Sequence, residues 1–511
     1  MPKLSVLYPD IHDSINTESV EMPDFFVDLN LDQVVTAVTA HRQDYNLKPF
    51  FFTPLRDVET VNYRQAVSRD LESAATLAAI KAFAEKMVVV RRYLKMITTL
   101  YYKYHKEGWF LEAAALYGEA VSRLAEDLSP IELHSQGLIQ FRDYLNQYIR
   151  SSQFLSLQSE THDLKEQLKS VQYNVIIKGD WVRVRKYEGE IDYSQEVEKT
   201  FEKFKQGEVK NYRVDLIVTS GMNHIEAQIL DCAVKLYPEI FKALDDYCPK
   251  YVGFLDDTIV RFDREIQFYL AYLEFIHHIK GMGLAFCYPR VSSKSKEVQA
   301  AETYDIALAN KRMYEKSPIV VNDYYLKNPE RIIVISGPNQ GGKTTFARTF
   351  GQLHYLASLG LPIPGREAQL FLCDRIFTHF ENQEDIRNLR GKLQDDLFRI
   401  RTILDQATPD SIIIMNEIFT STTLRDAIFL GEQIMKRIIA LDCLSVCVSF
   451  IDELSTMSEK TISMVSTVVP NNPAVRTFKI IRKNADGIAH AITIAEKHRL
   501  TYELIKERMA Q

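Results

Sequence analysis

The chain has 511 residues, 46% of them hydrophobic and 25% charged, with 62 Lys and Arg against 68 Asp and Glu for a net charge of -6. That length is more than one core organises and suggests about three domains, and the composition excludes extensive disorder. The acidic balance excludes a surface that is basic all over, so any contact with nucleic acid has to come from a local patch.

The six cysteines, Cys232, Cys248, Cys287, Cys373, Cys443 and Cys447, include no Cys-x2-Cys pair. This speaks against a zinc site or a disulfide framework and for reduced thiols in a cytoplasmic protein. The start, Met1-Pro2-Lys3-Leu4-Ser5, carries no apolar leader, and no apolar run approaches membrane-spanning length. A soluble cytoplasmic protein without membrane contact is expected. The pair His277-His278 points to different helix faces and does not suggest a metal site.

In chain order, Leu29 to about Leu157 is helical in pattern, with amphipathic stretches around Ala74 to Leu94 and Leu111 to Leu128. Two narrower stripes follow. Phe154, Leu157, Thr161, Leu164, Leu168 and Val171 recur at three-four spacing, as do Ile259, Phe262, Ile266, Tyr269, Leu273 and Ile276. They predict two long helices packed along one another.

Between these stripes, Tyr173 to Ile177, the turn Lys178-Gly179-Asp180 and Trp181 to Arg185 read as a hairpin, and Tyr212 to Val218 as a further strand. A small subdomain is thus inserted at the tip of a helical arm. Its hairpin carries Lys178, Arg183, Arg185 and Lys186 close to Trp181, a mix that suits a nucleic-acid backbone. A solvated hairpin with Trp181 in a small core fits the same residues, and Glu188 and Glu190 dilute the charge. Beyond Cys287, Ser292 to Ala301 is polar and linker-like. From about Ile319 the pattern alternates strand and helix, with strands expected at Ile332 to Ile335, Ser411 to Met415, Leu444 to Val448, Phe478 to Ile481 and Ile488 to Ile494. That alternation implies a mostly parallel sheet flanked by helices.

Within this region Gly337-Pro338-Asn339-Gln340-Gly341-Gly342-Lys343-Thr344 fits the phosphate-binding loop Gly-x4-Gly-Lys-Ser/Thr without a mismatch. Its glycines stand out in a chain that has only 19. The apolar run Ile332 to Ile335 leads in as a buried strand, and Thr344 to Leu359 leads out as a helix. Glycines let successive backbone N–H groups turn toward a phosphate, and the helix start adds its partial positive charge. Lys343 is expected to reach the outer phosphates of a nucleoside triphosphate, and the Thr344 hydroxyl to ligate Mg2+.

The motifs around this loop extend the reading. Asn322 precedes the first strand. Ser336 to Thr345 is followed by Leu361-Pro362-Ile363-Pro364, by Asp374-Arg375-Ile376-Phe377-Thr378, and by Ile414-Met415-Asn416-Glu417-Ile418 with Ser421-Thr422-Thr423 and Asp426. In this order they resemble the ATPase domain of MutS, the DNA mismatch-repair family, within the ABC-type ATPases. The resemblance is strong over about residues 300 to 500 and looser elsewhere, where Pro54-Leu55-Arg56-Asp57 with Arg64-Gln65 is similar to the start of the MutS core.

The resemblance implies a multidomain protein: a mainly helical core over 1–156, lever helices over 157–171 and 250–290, an inserted α+β clamp over 172–249, and an α/β P-loop ATPase domain of ABC type over 291–511. Mismatch-reading and connector domains are expected to be missing. Phe110-Leu111-Glu112 superficially matches the family's reader motif but falls in a helical stretch, and is expected to be structural.

The implied function is ATP-dependent DNA binding as a homodimer, with hydrolysis gating a clamp on branched or generic duplex DNA. Other repair or recombination proteins are further expected partners. The ATP site would be Gly337, Pro338, Asn339, Gln340, Gly341, Gly342, Lys343, Thr344 and Thr345. Lys343, Glu417 and Asn416 would be catalytic, with Glu417 polarising the attacking water, and Thr344 and Asn416 would hold the metal. Lys178, Trp181, Arg183 and Arg185 would contact DNA.

Three departures from the family pattern bear on turnover. Asn416 stands where the family has an Asp. Gly391 stands near its phosphate-reaching Ser, with Asn388, Arg390 and Lys392 as replacement contacts to the partner subunit's phosphate. Phe450 stands where a His follows the next strand. They leave open a nucleotide-gated scaffold that does not hydrolyse, and a clamp of this kind also suits RNA or a ribonucleoprotein.

Overall fold

Strands buried on both faces need unbroken apolar runs, and Ile332 to Ile335 and Ile412 to Met415 supply them. In the computed structural model, which describes residues 4–10, 20–179, 181–190, 221–315, 317–380, 391–419, 421–469, 472–484 and Lys506, both runs are buried throughout. Among the described residues, six strands lie in the order Ile376–Phe380, Ile412–Asn416, Leu444–Val448, Ile332–Ser336, Thr461–Val469 and Asn472–Arg482. The first five are parallel and the last is antiparallel to its neighbour.

Alternating side chains of these strands serve two layers. Ile332, Val334, Ile413 and Met415 share a core with Ile400 and with Ala427, Ile434, Met435 and Ile438, from the helices Lys392–Gln406 and Leu424–Leu441. Ile414 faces the helix Lys343–Ser358. There Gly351 leaves the space it needs, since a Cβ at Gly351 would lie 2.7 Å from Ile414 Cδ1 and 2.7 Å from Leu29 Cδ1.

The chain divides into two compact units, one of Met1–Glu72, Leu133–Ile139 and Arg264–Gln511, the other of Ser73–Glu132 and Gln140–Asp263. In the first, the N-terminal residues are bolted to the sheet region by buried polar contacts. Arg64 is fully buried, donates to Leu7 O at 2.9 Å and Leu359 O at 3.2 Å, and lies over the rings of Tyr8 and Phe268. Gln65 donates to Pro289 O, and Asp57 caps the helix Val58–Asp70 by accepting from Thr60 N. The motif Pro54 to Gln65 is thus a structural joint.

One expectation is corrected in this unit. The stretch Ser292 to Ala301 is not a linker. Arg290–Ser292 and Val298–Thr303 are strands of a sheet completed by Glu367–Phe371 and Asn322–Leu326. Its solvent side carries the Lys, Ser and Glu residues that made it read as polar, while Val298 and Ala300 are buried. Thr461–Val469, which was not anticipated, joins the main sheet through a run broken by Ser463 and Ser466. Phe478 to Ile481 falls inside the longer strand Asn472–Arg482. The strands read at Tyr212 to Val218 and Ile488 to Ile494 lie outside the described residues.

The second unit is helical and carries a hairpin. Phe154, Leu157, Thr161 and Leu164 of the helix Ser152–Lys169 are buried as the stripe predicts. Their partners are the helices Lys103–Leu128 and Pro238–Lys250, where the sequence had paired this helix with Asp257–Lys280. Gln158 donates to Gly118 O and Ser122 Oγ, and Thr161 Oγ1 and Tyr247 Oη share a hydrogen bond, so the replacement contact is polar as well as apolar. Phe110 packs edge-on to Tyr247 and Phe254, as a structural residue. No helix among the described residues is long and apolar enough to cross a membrane, and the six cysteines are free thiols.

Candidate nucleotide site

The strand Ile332–Ser336 ends at Gly337, and the chain turns through Gly337 (φ 111°), Gln340 (φ 60°) and Gly342 (φ 91°) before Lys343 opens the helix Lys343–Ser358. The neighbouring strand enforces this path. A Cβ at Gly337 would lie 2.9 Å from Ser466 O, and one at Gly341 would lie 2.1 Å from Ser466 Oγ. That hydroxyl donates to Gly341 O at 2.7 Å. Glycine is required at both positions because Ser466 is packed against the loop.

The Lys343 ammonium is tucked under the loop. It donates to Gly337 O at 2.9 Å, Pro338 O at 3.3 Å and Asn339 Oδ1 at 3.1 Å, and lies 3.9 Å from Glu417 Oε1. Burial pulls its pKa below the usual lysine value, and Glu417 opposes that shift. Three neutral acceptors stand where anionic oxygens would bind it more strongly.

Asn416 ends the strand Ile412–Asn416, two positions across the sheet from the loop strand, and its Oδ1 accepts from Thr344 Oγ1 at 2.9 Å. Glu417 follows at φ 54°, with its N–H on Val448 O at 2.9 Å. This left-handed turn carries the carboxylate toward Lys343. The pocket around these groups holds ≈ 350 Å³, with Gln340 to Thr345 and Glu417 on its polar side and Leu308, Ile319, Val320 and Phe478 on its apolar side. Asn322 fixes the far wall. Its Nδ2 donates to Phe478 O at 3.2 Å, and its Oδ1 accepts from Ile480 N at 2.8 Å.

Of the sequence-predicted residues, Gln340, Gly341, Gly342, Lys343, Thr344, Thr345 and Glu417 line the pocket, Asn416 meets it through Thr344, and Gly337, Pro338 and Asn339 do not line it. Gly391 caps the helix Lys392–Gln406, whose Lys392 does not line this pocket. Asn388 and Arg390 lie outside the described residues. Phe450 is 51% exposed just past the strand Leu444–Val448. Ser466, Phe478 and Arg476, which donates to Asn339 O at 3.2 Å, were not anticipated. Their strands return to the loop from more than a hundred residues away, and no local pattern marks them.

In the second unit, the hairpin register sets Lys178 opposite Trp181, Ile176 opposite Arg183 and Asn174 opposite Arg185. Residues directly opposite share a face, as do alternate residues of one strand. Lys178, Trp181, Arg183 and Arg185 therefore occupy one face. Trp181 is 49% exposed and does not sit in a small core. Arg185 is engaged by Glu190 at 2.5 Å, so the charge on this face is partly spent within the hairpin.

A strand, a glycine loop and a helix in this order, beside a parallel sheet that delivers a carboxylate, have the layout of a P-loop domain. Residues 333–510 match the family model described as MutS domain V. DNA mismatch repair protein MutS of Psychrobacter cryohalolentis is 28% identical over 174 residues, which cover 34% of this chain and 16% of that protein. The MutS proteins of Thermotoga sp. RQ2 and Thermotoga maritima are each 26% identical over 170 residues, 33% of this chain and 21% of theirs. The matches span about a fifth of those relatives or less. The similarity to the MutS family lies in this C-terminal region of the chain.

Proposed function

We propose that this chain binds ATP with Mg2+ in the loop pocket, hydrolyses it slowly, and uses the cycle as a homodimer to gate its hold on branched or generic duplex DNA. The observation that carries the reading is the convergence of Lys343, Thr344 and Glu417 on one pocket, with Asn416 hydrogen-bonded to Thr344. The residues present fit a magnesium-bound triphosphate: a buried ammonium hydrogen-bonded to neutral acceptors 3.9 Å from the Glu417 carboxylate, and a hydroxyl and an amide oxygen already within 2.9 Å of each other. Mg2+, when bound, would neutralise charge on the phosphate oxygens.

Lys343 would exchange its loop acceptors for phosphate oxygens, and Thr344 and Asn416 would hold the metal. Glu417 would orient the attacking water and accept its proton. Asn416 supplies an oxygen without a charge, and Phe450 supplies no ring nitrogen, so slow turnover is expected. The same two residues favour the alternative of a nucleotide-gated scaffold that does not hydrolyse.

Contact with DNA is supported by the single face that Lys178, Trp181, Arg183 and Arg185 share. A face of that chemistry grips phosphate and stacks on bases without reading sequence. The test is phosphate release by the purified chain with homoduplex, mismatched and four-way DNA and with structured RNA, alongside its mass in solution with and without ATP. The proposal expects stimulation by at least one DNA and a dimer with ATP. Turnover indifferent to every nucleic acid contradicts it, and binding without any turnover selects the scaffold.

A further inference from the structure

A large cavity in the first unit lies apart from the candidate nucleotide pocket. It holds ≈ 720 Å³ and shares no residue with that pocket. One wall is the short N-terminal helix Phe25–Asp28, a second the far end of the phosphate-loop helix at Tyr355 and Ser358, and a third the edge strand Ile376–Phe380. The helix Lys392–Gln406 closes it with Phe398, Thr402 and Ile403. Val27 is 59% exposed, so apolar surface is open to a ligand there.

Six charged residues line the cavity: Asp24, Asp28, Asp374, Arg56, Arg375 and Arg399. Three of them, Asp28, Asp374 and Arg56, are already engaged. Asp28 Oδ2 accepts from Thr378 Oγ1 at 2.6 Å, and the two Asp374 oxygens accept from Thr408 Oγ1 at 2.6 Å and Ser411 Oγ at 2.8 Å. Arg56 donates to Asp374 O at 2.6 Å. The guanidinium groups of Arg375 and Arg399 have neither a hydrogen bond nor an ion pair among the described residues. Two guanidinium forks without partners, beside aromatic faces in a cavity of ligand size, match the chemistry that holds a planar anion.

We propose that this cavity is a second ligand site, taking a small organic anion: a carboxylate, sulfonate or phosphate on a flat apolar body. Arg375 and Arg399 bind the anionic head, and Phe25, Phe377, Phe398 and Tyr355 receive the body. The site stands independently of the ATP reading.

The probe is anilinonaphthalenesulfonate, an aromatic sulfonate whose fluorescence reports binding, titrated into the full chain. Saturable binding at one site per chain is expected, undisturbed by excess ATP with Mg2+ and retained in Lys343→Ala. Arg375→Ala with Arg399→Ala should weaken it at least about tenfold, the scale of charge-assisted hydrogen bonds. Thr402→Trp, at an exposed helix position, should block it by filling the space while leaving the circular dichroism spectrum unchanged. Naphthoate and naphthyl phosphate should each displace the probe, and the stronger competitor assigns the head group. Binding that is non-saturable, displaced by ATP, or indifferent to both the arginine pair and Thr402→Trp overturns the proposal.

Discussion

The Thr344 hydroxyl donates to Asn416 Oδ1 at 2.9 Å, joining the first turn of the phosphate-loop helix to the end of a strand two places across the sheet. The contact fixes where the oxygen that each element would offer a metal stands. A neutral amide can serve there, but it brings no charge toward a divalent cation. Asn416→Asp is therefore expected to lower the Mg2+ concentration needed for half-maximal nucleotide binding by about tenfold. Titrating Mg2+ at fixed ATP on both proteins checks this.

Glu417 reaches the pocket from a left-handed turn and lies 3.9 Å from the Lys343 ammonium. Glu417→Gln keeps the size and removes the proton acceptor. Phosphate release should fall by about a hundredfold or more, with ATP affinity changed less than about threefold. Single-turnover and steady-state phosphate release, read beside equilibrium binding, separate the two effects.

The loop is moulded against Ser466. Gly341→Ala would drive a methyl to 2.1 Å from Ser466 Oγ and 2.9 Å from Pro338 O. ATP affinity should drop by about tenfold or more. Adding Ser466→Gly should recover part of the loss, because only the Pro338 clash remains. Calorimetric titration of the single and double variants measures the recovery.

Arg64 joins the N-terminal segment to the sheet region through Leu7 O and Leu359 O. Arg64→Leu leaves both buried carbonyls without that donor and removes the stacking on Tyr8 and Phe268. A loss of about 3–5 kcal/mol is expected in denaturant unfolding. The residue should matter for folding of the first unit, whatever the ligand.

In the second unit, burial and the nearby Asp245 carboxylate push Glu107 up to about 7, against the opposing pull of Lys103. The folded state therefore binds a proton that the unfolded chain, near its ordinary value of 4.5, releases earlier. Its stabilising contribution is complete below that unfolded value and is lost as pH rises through about 7. Unfolding midpoints measured from pH ~4.5 to ~7.5 should show this component disappear in Glu107→Gln.

Much of the nucleotide site was legible in the sequence because its parts are local. Gly337 to Thr344 is one continuous turn, and Glu417 follows a short apolar strand. The residues that shape the loop from outside, Ser466, Phe478 and Arg476, arrive by sheet pairing, and pairing leaves no local spacing to read. The fold divides the same way. Ile332 to Ile335, buried on both faces, announced itself, whereas Val298–Thr303 hid two inward residues among polar neighbours. The stripe from Phe154 to Leu164 marked a buried helix face, but a stripe does not name its partner, and the partners are Lys103–Leu128 and Pro238–Lys250. At the hairpin, strand alternation placed Lys178, Trp181, Arg183 and Arg185 on one face. The ion pair of Arg185 with Glu190 depended on how the chain turns after the second strand.

Equilibrium binding of ATP to the purified chain in excess Mg2+, compared with Lys343→Ala, tests the central claim most directly. One saturable site per chain that is lost in the variant is the predicted result. No binding, or binding that the variant preserves, would contradict it.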